Sequence, residues 1–242
     1  MITRTIPLGN HRSLHQYRGK ASNIYILEDH RIHETILIDC GMPSDSRGLM
    51  HTLQGMPPFT RVVCTHFHVD HVSGWIRLKP HFPAGEFWLH ESARSLVNGG
   101  SAIPMPGFRA LKEVLVPCMR ESGYLPGIGD LFQGALYGTP FKKDFPEDRV
   151  RYFKEGDDVL PGFSAIHTPG HRPDEVSFFD PKNGVLISGD FIIVIHDRLM
   201  PNTFLCSPKD QAASLEKIKA TPGITLICPG HGNCRPFDYN LA

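Results

Sequence analysis

Short apolar runs recur along the chain, punctuated by Gly, Pro, Asp or Asn: NIYIL (23–27), TILIDCG (35–41), RVVCT (61–65), EFWLH (86–90), FSAIHT (163–168), VSFFD (176–180), GVLISGD (184–190) and ITLICPG (224–230). They are rich in β-branched and aromatic residues, and several are apolar throughout rather than alternating. Such runs read as strands buried on both faces. Helical signals lie between them. Ser44 and Asp45 precede Leu49, Met50 and Leu53, and GMPPF (55–59) ends that helix. Ser207-Pro208 opens a second, with Ala212, Leu215 and Ile218 on one face and Pro222-Gly223 beyond its end. A third is expected from near His71 through Trp75, Ile76 and Leu78 to Pro80. Interleaved strands and helices predict an α/β architecture.

Residues 98–149 break this rhythm. The segment opens NGGSAIPMPG and holds LPGIGDLFQGALYGTPFKKDFP, dense in Gly, Pro, Phe and Leu, with a single helical pattern near Phe108 to Met119. A connection this long without its own structure is uncommon inside a domain unless it has a job, and its apolar content argues against disorder. It reads as an insertion that is a packed decoration, a substrate lid or a subunit interface, the last implying a homodimer.

At 242 residues the chain is long enough for one large domain, and residues 1–242 are read as one. Lys plus Arg (25) balance Asp plus Glu (25), and the longest basic run is Lys142-Lys143, so a nucleic-acid partner is disfavoured. The stretch MITRTIPLGNHRSLHQ has no apolar core of signal-peptide length, and no uninterrupted apolar span is long enough for a membrane. No membrane association and a cytoplasmic location are expected. The six cysteines (40, 64, 118, 206, 228, 234) lack framework spacing and read as reduced thiols. Cys228 and Cys234 bracket His231, but not with zinc-knuckle spacing, and are assigned to packing.

The chemistry concentrates at the ends of the apolar runs. RVVCT continues into THFHVDH, which places His66, His68, Asp70 and His71 within six positions. Three further runs end in a side chain that can bind metal: FSAIHTPGH in His171, GVLISGD in Asp190 and ITLICPGH in His231. Strands terminating on one sheet edge can bring such residues together in the crevice beyond it. Seven donors exceed the three or four that one tetrahedral zinc needs, so two metals sharing a carboxylate and keeping an open position for water suit the set better. Imidazole and carboxylate without thiolate fit zinc first and also admit iron or manganese.

His66-x-His68-x-Asp70-His71, the TPGH ending in His171, the SGD ending in Asp190 and the PGH ending in His231 together resemble the metallo-β-lactamase fold superfamily, over roughly residues 20–97 and 150–235. The resemblance implies a four-layer αββα sandwich with 98–149 inserted between its halves. It further implies that His66, His68 and His171 hold one metal and Asp70, His71 and His231 the other, with Asp190 as the bridge. The acidic bridge resembles the glyoxalase II and N-acyl-homoserine lactonase branches. Ile193 stands where the lactonase branch often has tyrosine, and the helical region that follows the last ligand in glyoxalase II is not matched, so the substrate stays open.

The leading expectation is a metal-dependent hydrolase that directs a bridging hydroxide at an ester, thioester or lactone carbonyl of a small molecule, with Asp70 both ligating and handling the proton. The alternatives are a phosphodiesterase at the same site, a mononuclear iron persulfide dioxygenase, and a ligand sensor without turnover. Among neighbouring residues, Pro169-Gly170 prevents His167 and His171 from sharing a helix, so His167 is expected either to support a ligand from behind or to be structural. His196 and Asp197 are placed either at the pocket or at a surface strand end, and Asp174-Glu175 is read as a solvated turn.

Overall fold

A computed structural model describes residues 1–9, 11–97, 112, 116, 117, 120, 124, 129, 130, 145–239 and 241. Among these, β1 (Ile2–Pro7), β2 (Arg12–Arg18), β3 (Asn23–Asp29), β4 (Glu34–Ile38), β5 (Phe59–Val63), β6 (Glu86–His90) and β7 (Val150–Phe153) form one sheet in sequence order. Pairing is antiparallel from β1 to β4 and parallel from β4 to β7. The second half supplies β8 (Ser164–His167), β9 (Val176–Asp180), β10 (Val185–Gly189), β11 (Ile192–Ile195), β12 (Arg198–Pro201), β13 (Leu226–Pro229) and β14 (Arg235–Pro236). Five of these make a sheet ordered β14-β13-β10-β9-β8, while β11 and β12 form a separate hairpin.

Three apolar clusters define four layers. Leu14, Tyr25, Leu27, Ile36 and Ile38 of the first sheet meet Phe178, Val185, Ile187 and Cys228 of the second in a core between the sheets. The opposite face of the first sheet buries Ile24, Ile26, Leu37, Val62 and Phe87 against Leu49 and Leu53 of α1 (Ser46–Leu53) and against Trp75 and Leu78. The outer face of the second sheet packs Leu186 and Ile227 on Leu215 and Ile218 of a long C-terminal helix (Pro208–Ala220). Adjacent β3 residues thus serve different cores, Tyr25 and Leu27 inward and Ile24 and Ile26 outward, which is why the run is apolar throughout. The αββα sandwich expected from the resemblance is the fold.

Local signals explain the helix ends. Ser207 Oγ accepts a hydrogen bond from Asp210 N at 3.2 Å and Pro208 occupies the first turn, the N-terminal arrangement the sequence predicts. The helix expected from His71 to Pro80 is instead two single turns, α2 (Val69–Val72) and α3 (Trp75–Leu78). The cause is tertiary: Cys40 N bonds His71 O and Gly74 N bonds Gly41 O, both at 2.8 Å, so the backbone around residue 74 lies directly on the β4 exit. Numbering the remaining helices in order, Arg94–Val97 is α4 and Pro208–Ala220 is α5. The N-terminal hairpin β1-β2 and strand β7 are additions to the predicted strands; their polar, partly exposed sequences carry no continuous apolar run. The expected helix near Phe108 to Met119 and most of the 98–149 insertion lie outside the described residues. No described helix is long and apolar enough to cross a membrane.

Candidate metal centre

The site lies where β4, β5, β10 and β13 end together. β4 runs parallel to β5, and β10 parallel to β13, so both sheets deliver strand ends to the same edge. Beyond β5 the chain bends at Thr65 and His66 and becomes extended at His68, and His66 and His68 reach the same donor group. His68 then starts α2, whose first turn carries Asp70 and His71. His171 sits on the β8–β9 loop, while Asp190 and His231 follow β10 and β13 directly.

All seven side chains singled out in the sequence come together here. One ligand atom from each of His66, His68, His171 and Asp190 falls within a 4.8 Å group that could hold a metal ion, and one from each of Asp70, His71 and His231 forms a second. Asp190 joins the groups: its Oδ2 lies 3.1 Å from His231 Nε2 and 3.7 Å from His171 Nε2, and its Oδ1 lies 3.3 Å from His71 Nε2. Gly230 is required for this closeness, since a Cβ there would run into Asp190 Oδ1 and come 2.9 Å from His71 Cε1.

The outward nitrogens of three imidazoles are tied back to the protein. His71 Nδ1 faces Asp39 Oδ2 at 2.8 Å, His66 Nδ1 lies 3.1 Å from Thr65 Oγ1 and 3.3 Å from Glu175 Oε2, and His171 Nδ1 is 2.6 Å from Phe204 O. Holding the proton on Nδ1 leaves the Nε2 lone pair pointing inward, the arrangement metal-binding imidazoles adopt. Asp39 is itself fixed: its Oδ1 accepts from Thr65 N at 2.8 Å and its Oδ2 from Thr65 Oγ1 at 2.9 Å. Its backbone turns through φ 62, an uncommon value for a non-glycine residue.

The inner atoms carry the fit test. His66 Nε2, His71 Nε2 and Asp190 Oδ1 are buried and have no hydrogen-bond partner, each a cost of about 1–3 kcal/mol unless something binds them. All three belong to the converging set, and an imidazole–carboxylate donor set suits zinc, iron or manganese. The residues therefore fit a pair of divalent ions.

Charge divides the site. Burial lowers the pKa of His66, His68 and His171, and the neighbouring imidazoles add to this for His66 and His68, so that group is neutral and ready to donate lone pairs. Burial also opposes protonation of His71 and His231, but Asp190 and Asp70, with Asp39 for His71, outweigh it and raise both. Burial would neutralise Asp190, yet His231 and His71 hold it well below the usual carboxylate range. A proton on these imidazoles answers the same negative charge that a cation would.

Several neighbours differ from their sequence reading. Asp174 and Glu175 are not a solvated turn: both are buried, Asp174 Oδ2 accepting from Phe67 N at 2.6 Å and Glu175 Oε1 from Asp190 N at 2.9 Å. Burial, reinforced by Asp190, pushes Glu175 well above the usual carboxylate range. Of the two roles expected for His167 the structural one is what its contacts show: its Nε2 bonds Pro173 O at 2.9 Å and its ring stacks on His90. His196 and Asp197 form the exposed turn between β11 and β12, where Asp197 pairs with Arg235. Sequence reasoning missed Asp39, although it stands at the end of the TILIDCG run. It also missed Tyr124, whose ring meets His231 edge-on at 5.6 Å and whose Oη donates to Asn23 Oδ1 and accepts from Gly232 N.

Comparison with known proteins adds lineage to this geometry. A profile described as the Metallo-beta-lactamase superfamily matches residues 17–231. YobT of Bacillus subtilis, an uncharacterized protein, is 27% identical over 172 residues, covering 69% of this chain and 60% of its own length. A hydroxyacylglutathione hydrolase of Bdellovibrio bacteriovorus is 30% identical over 146 residues, covering 56% of this chain and 57% of its own. Among solved structures, the BLEG-1 B3 metallo-beta-lactamase superposes with a TM-score of 0.60 at 23% identity, covering 96% of this chain and 93% of that one. TTHA1623 in a di-iron-bound form gives a TM-score of 0.57 at 25% identity, covering 91% and 92%.

Proposed function

Because the chain belongs to the metallo-beta-lactamase superfamily, we propose that it is a two-metal hydrolase of small-molecule esters, thioesters or lactones. The observation that carries this reading is the pair of donor groups sharing Asp190, with unpartnered buried atoms turned inward. His66, His68, His171 and Asp190 would hold one ion, and Asp70, His71, His231 and Asp190 the other. Two divalent ions bound there supply a water acidified towards neutrality and polarise a carbonyl oxygen.

The chain's own residues do the rest. Asp39, Thr65, Glu175 and the Phe204 carbonyl fix the imidazoles, so little reorganisation is needed when charge develops. Asp70 has a side chain 20% open to solvent, against 6% for Asp190. It is therefore the carboxylate that can orient an attacking water and pass its proton to the departing oxygen or sulfur. The hydroxyacylglutathione hydrolase relative supports a thioester among the substrates. Zinc is the proposed metal; the di-iron form of TTHA1623 makes iron its first competitor.

The test is metal content per chain after purification without chelator, followed by a panel of thioesters, esters and lactones. The reading expects about two ions per chain, hydrolysis of at least one panel member, loss of turnover on chelation and recovery on adding zinc, manganese or ferrous iron. One iron per chain with oxygen uptake, or a fully loaded protein that hydrolyses nothing on the panel, overturns it.

A further inference from the structure

Cys228 and Cys234 flank the loop that carries His231, and the sheet register sets them face to face. β13 and β14 pair antiparallel with Leu226 opposite Pro236 and Ile227 opposite Arg235, where the ladder ends, and Cys228 and Cys234 are the next residues beyond that last rung on its two sides. The alternation of the ladder gives the type of rung. Phe237 N bonds Thr225 O at 2.9 Å, which makes Thr225/Phe237 a hydrogen-bonded pair, Leu226/Pro236 a non-bonded one and Ile227/Arg235 bonded, and the same alternation carried one step on gives Cys228/Cys234 the place of a non-bonded pair. Proline at 236, lacking an N–H, agrees with that phase. Cα atoms across a non-bonded rung lie about 4.5 Å apart, at the short end of the range of about 4.4–6.8 Å that a disulfide spans.

The side chains agree with the backbone. Both cysteines are buried in the core between the sheets, and each thiol shifts the titration of the other. Cys234 Sγ also lies 3.7 Å from Tyr25 Oη and 3.4 Å from Gln16 Oε1. Burial raises Cys40, Cys64 and Cys228, but Cys234 is lowered, first by the hydrogen bond from Cys228 and then, against its burial, by that from Tyr25. Asn233, next to Cys234 in the chain, is exposed, and Cys234 itself keeps 4% of its surface open.

We propose that Cys228 and Cys234 are a redox pair which hydrogen peroxide converts into a reversible disulfide closing the His231 loop. Cys234 thiolate attacks one peroxide oxygen and the O–O bond breaks; the departing hydroxide takes a proton and leaves as water, and Cys234 becomes a sulfenic acid. Cys228 sulfur then attacks the Cys234 sulfur, and the S–OH bond breaks. The released hydroxide takes the Cys228 proton as a second water. The two sulfurs lose two electrons in total and the peroxide gains them. Small thiols reduce such a link by exchange through a mixed disulfide. This inference does not depend on the hydrolase reading.

The experiment treats the reduced full-length protein with a modest excess of hydrogen peroxide, quenches in acid, alkylates free thiols under denaturing conditions and maps the chain by mass spectrometry. The expected product has lost about 2 Da and carries a Cys228–Cys234 link that dithiothreitol removes. In C228S, which lacks the resolving thiol, a 1,3-dione probe captures sulfenic acid at Cys234. Full alkylation of both cysteines after peroxide, a link between other cysteines, or direct passage of wild-type Cys234 to sulfinic acid overturns the proposal. The wild-type map decides the matter even where C228S fails to fold.

Discussion

Asn in place of Asp39 tests whether the residues behind the imidazoles govern the centre. Asp39 accepts three hydrogen bonds, two from Thr65 and one from His71 Nδ1. Asparagine keeps the shape but replaces one oxygen with a donor. With the amide nitrogen at the Oδ2 position, two donors confront each other unless the His71 proton moves to Nε2, which covers the lone pair that should face inward. With the amide reversed, the buried Thr65 N–H is left without an acceptor, at about 1–3 kcal/mol. Both outcomes also remove the carboxylate charge that makes the His71 imidazole a better donor, which weakens the second ion by about 10–100-fold, equivalent to about 1.4–2.7 kcal/mol. The ion at His66, His68 and His171 keeps most of its affinity, because none of those side chains bonds Asp39. Competition titration against a chromophoric chelator, with elemental analysis of the loaded protein, measures both. Two ions bound by D39N at wild-type affinity would refute the reasoning, as would an equal loss at both positions.

Other perturbations probe different links. Gly230→Ala should empty the centre while leaving the far-ultraviolet circular dichroism intact, because the new methyl collides with Asp190 and His71; retained metal stoichiometry would show that the loop yields. Tyr124→Phe strips Gly232 N of its acceptor and should lower the unfolding free energy by about 1–3 kcal/mol in urea titrations, and an unchanged midpoint would count against that bond. Burial raises Asp45 from 3.8 to about 6. Its folded pKa exceeds its unfolded one, so this contribution to stability is full below about pH 4 and is lost as pH rises through about 6, by about 2–3 kcal/mol. Urea midpoints of wild type and Asp45→Asn across that window should therefore diverge in the variant's favour as pH rises; parallel curves would remove Asp45 as the cause.

How much of this was legible in the chain depends on the range of the interaction concerned. His66, His68, Asp70 and His71 announce themselves because an extended segment entering a one-turn helix orients them locally. His171, Asp190 and His231 do so because each follows an apolar run whose buried strand must end at the same sheet edge. The layers were legible as well: runs such as Asn23–Leu27 are apolar at every position only when both faces are covered. What the sequence by itself determined was the donor set and the sandwich that gathers it. Tertiary structure alone decided what stands behind the donors. Asp39 meets a histidine 32 positions away, Glu175 stabilises the Asp190 backbone from 15 positions away, and Asp174 is buried rather than solvated. It also split the expected 71–80 helix, through backbone contacts with residues 40 and 41, and set Cys228 across from Cys234. The reason is physical: periodicity and turn chemistry act between near neighbours in sequence, whereas the partner of a buried polar atom is chosen by whichever strand the packed layers bring beside it.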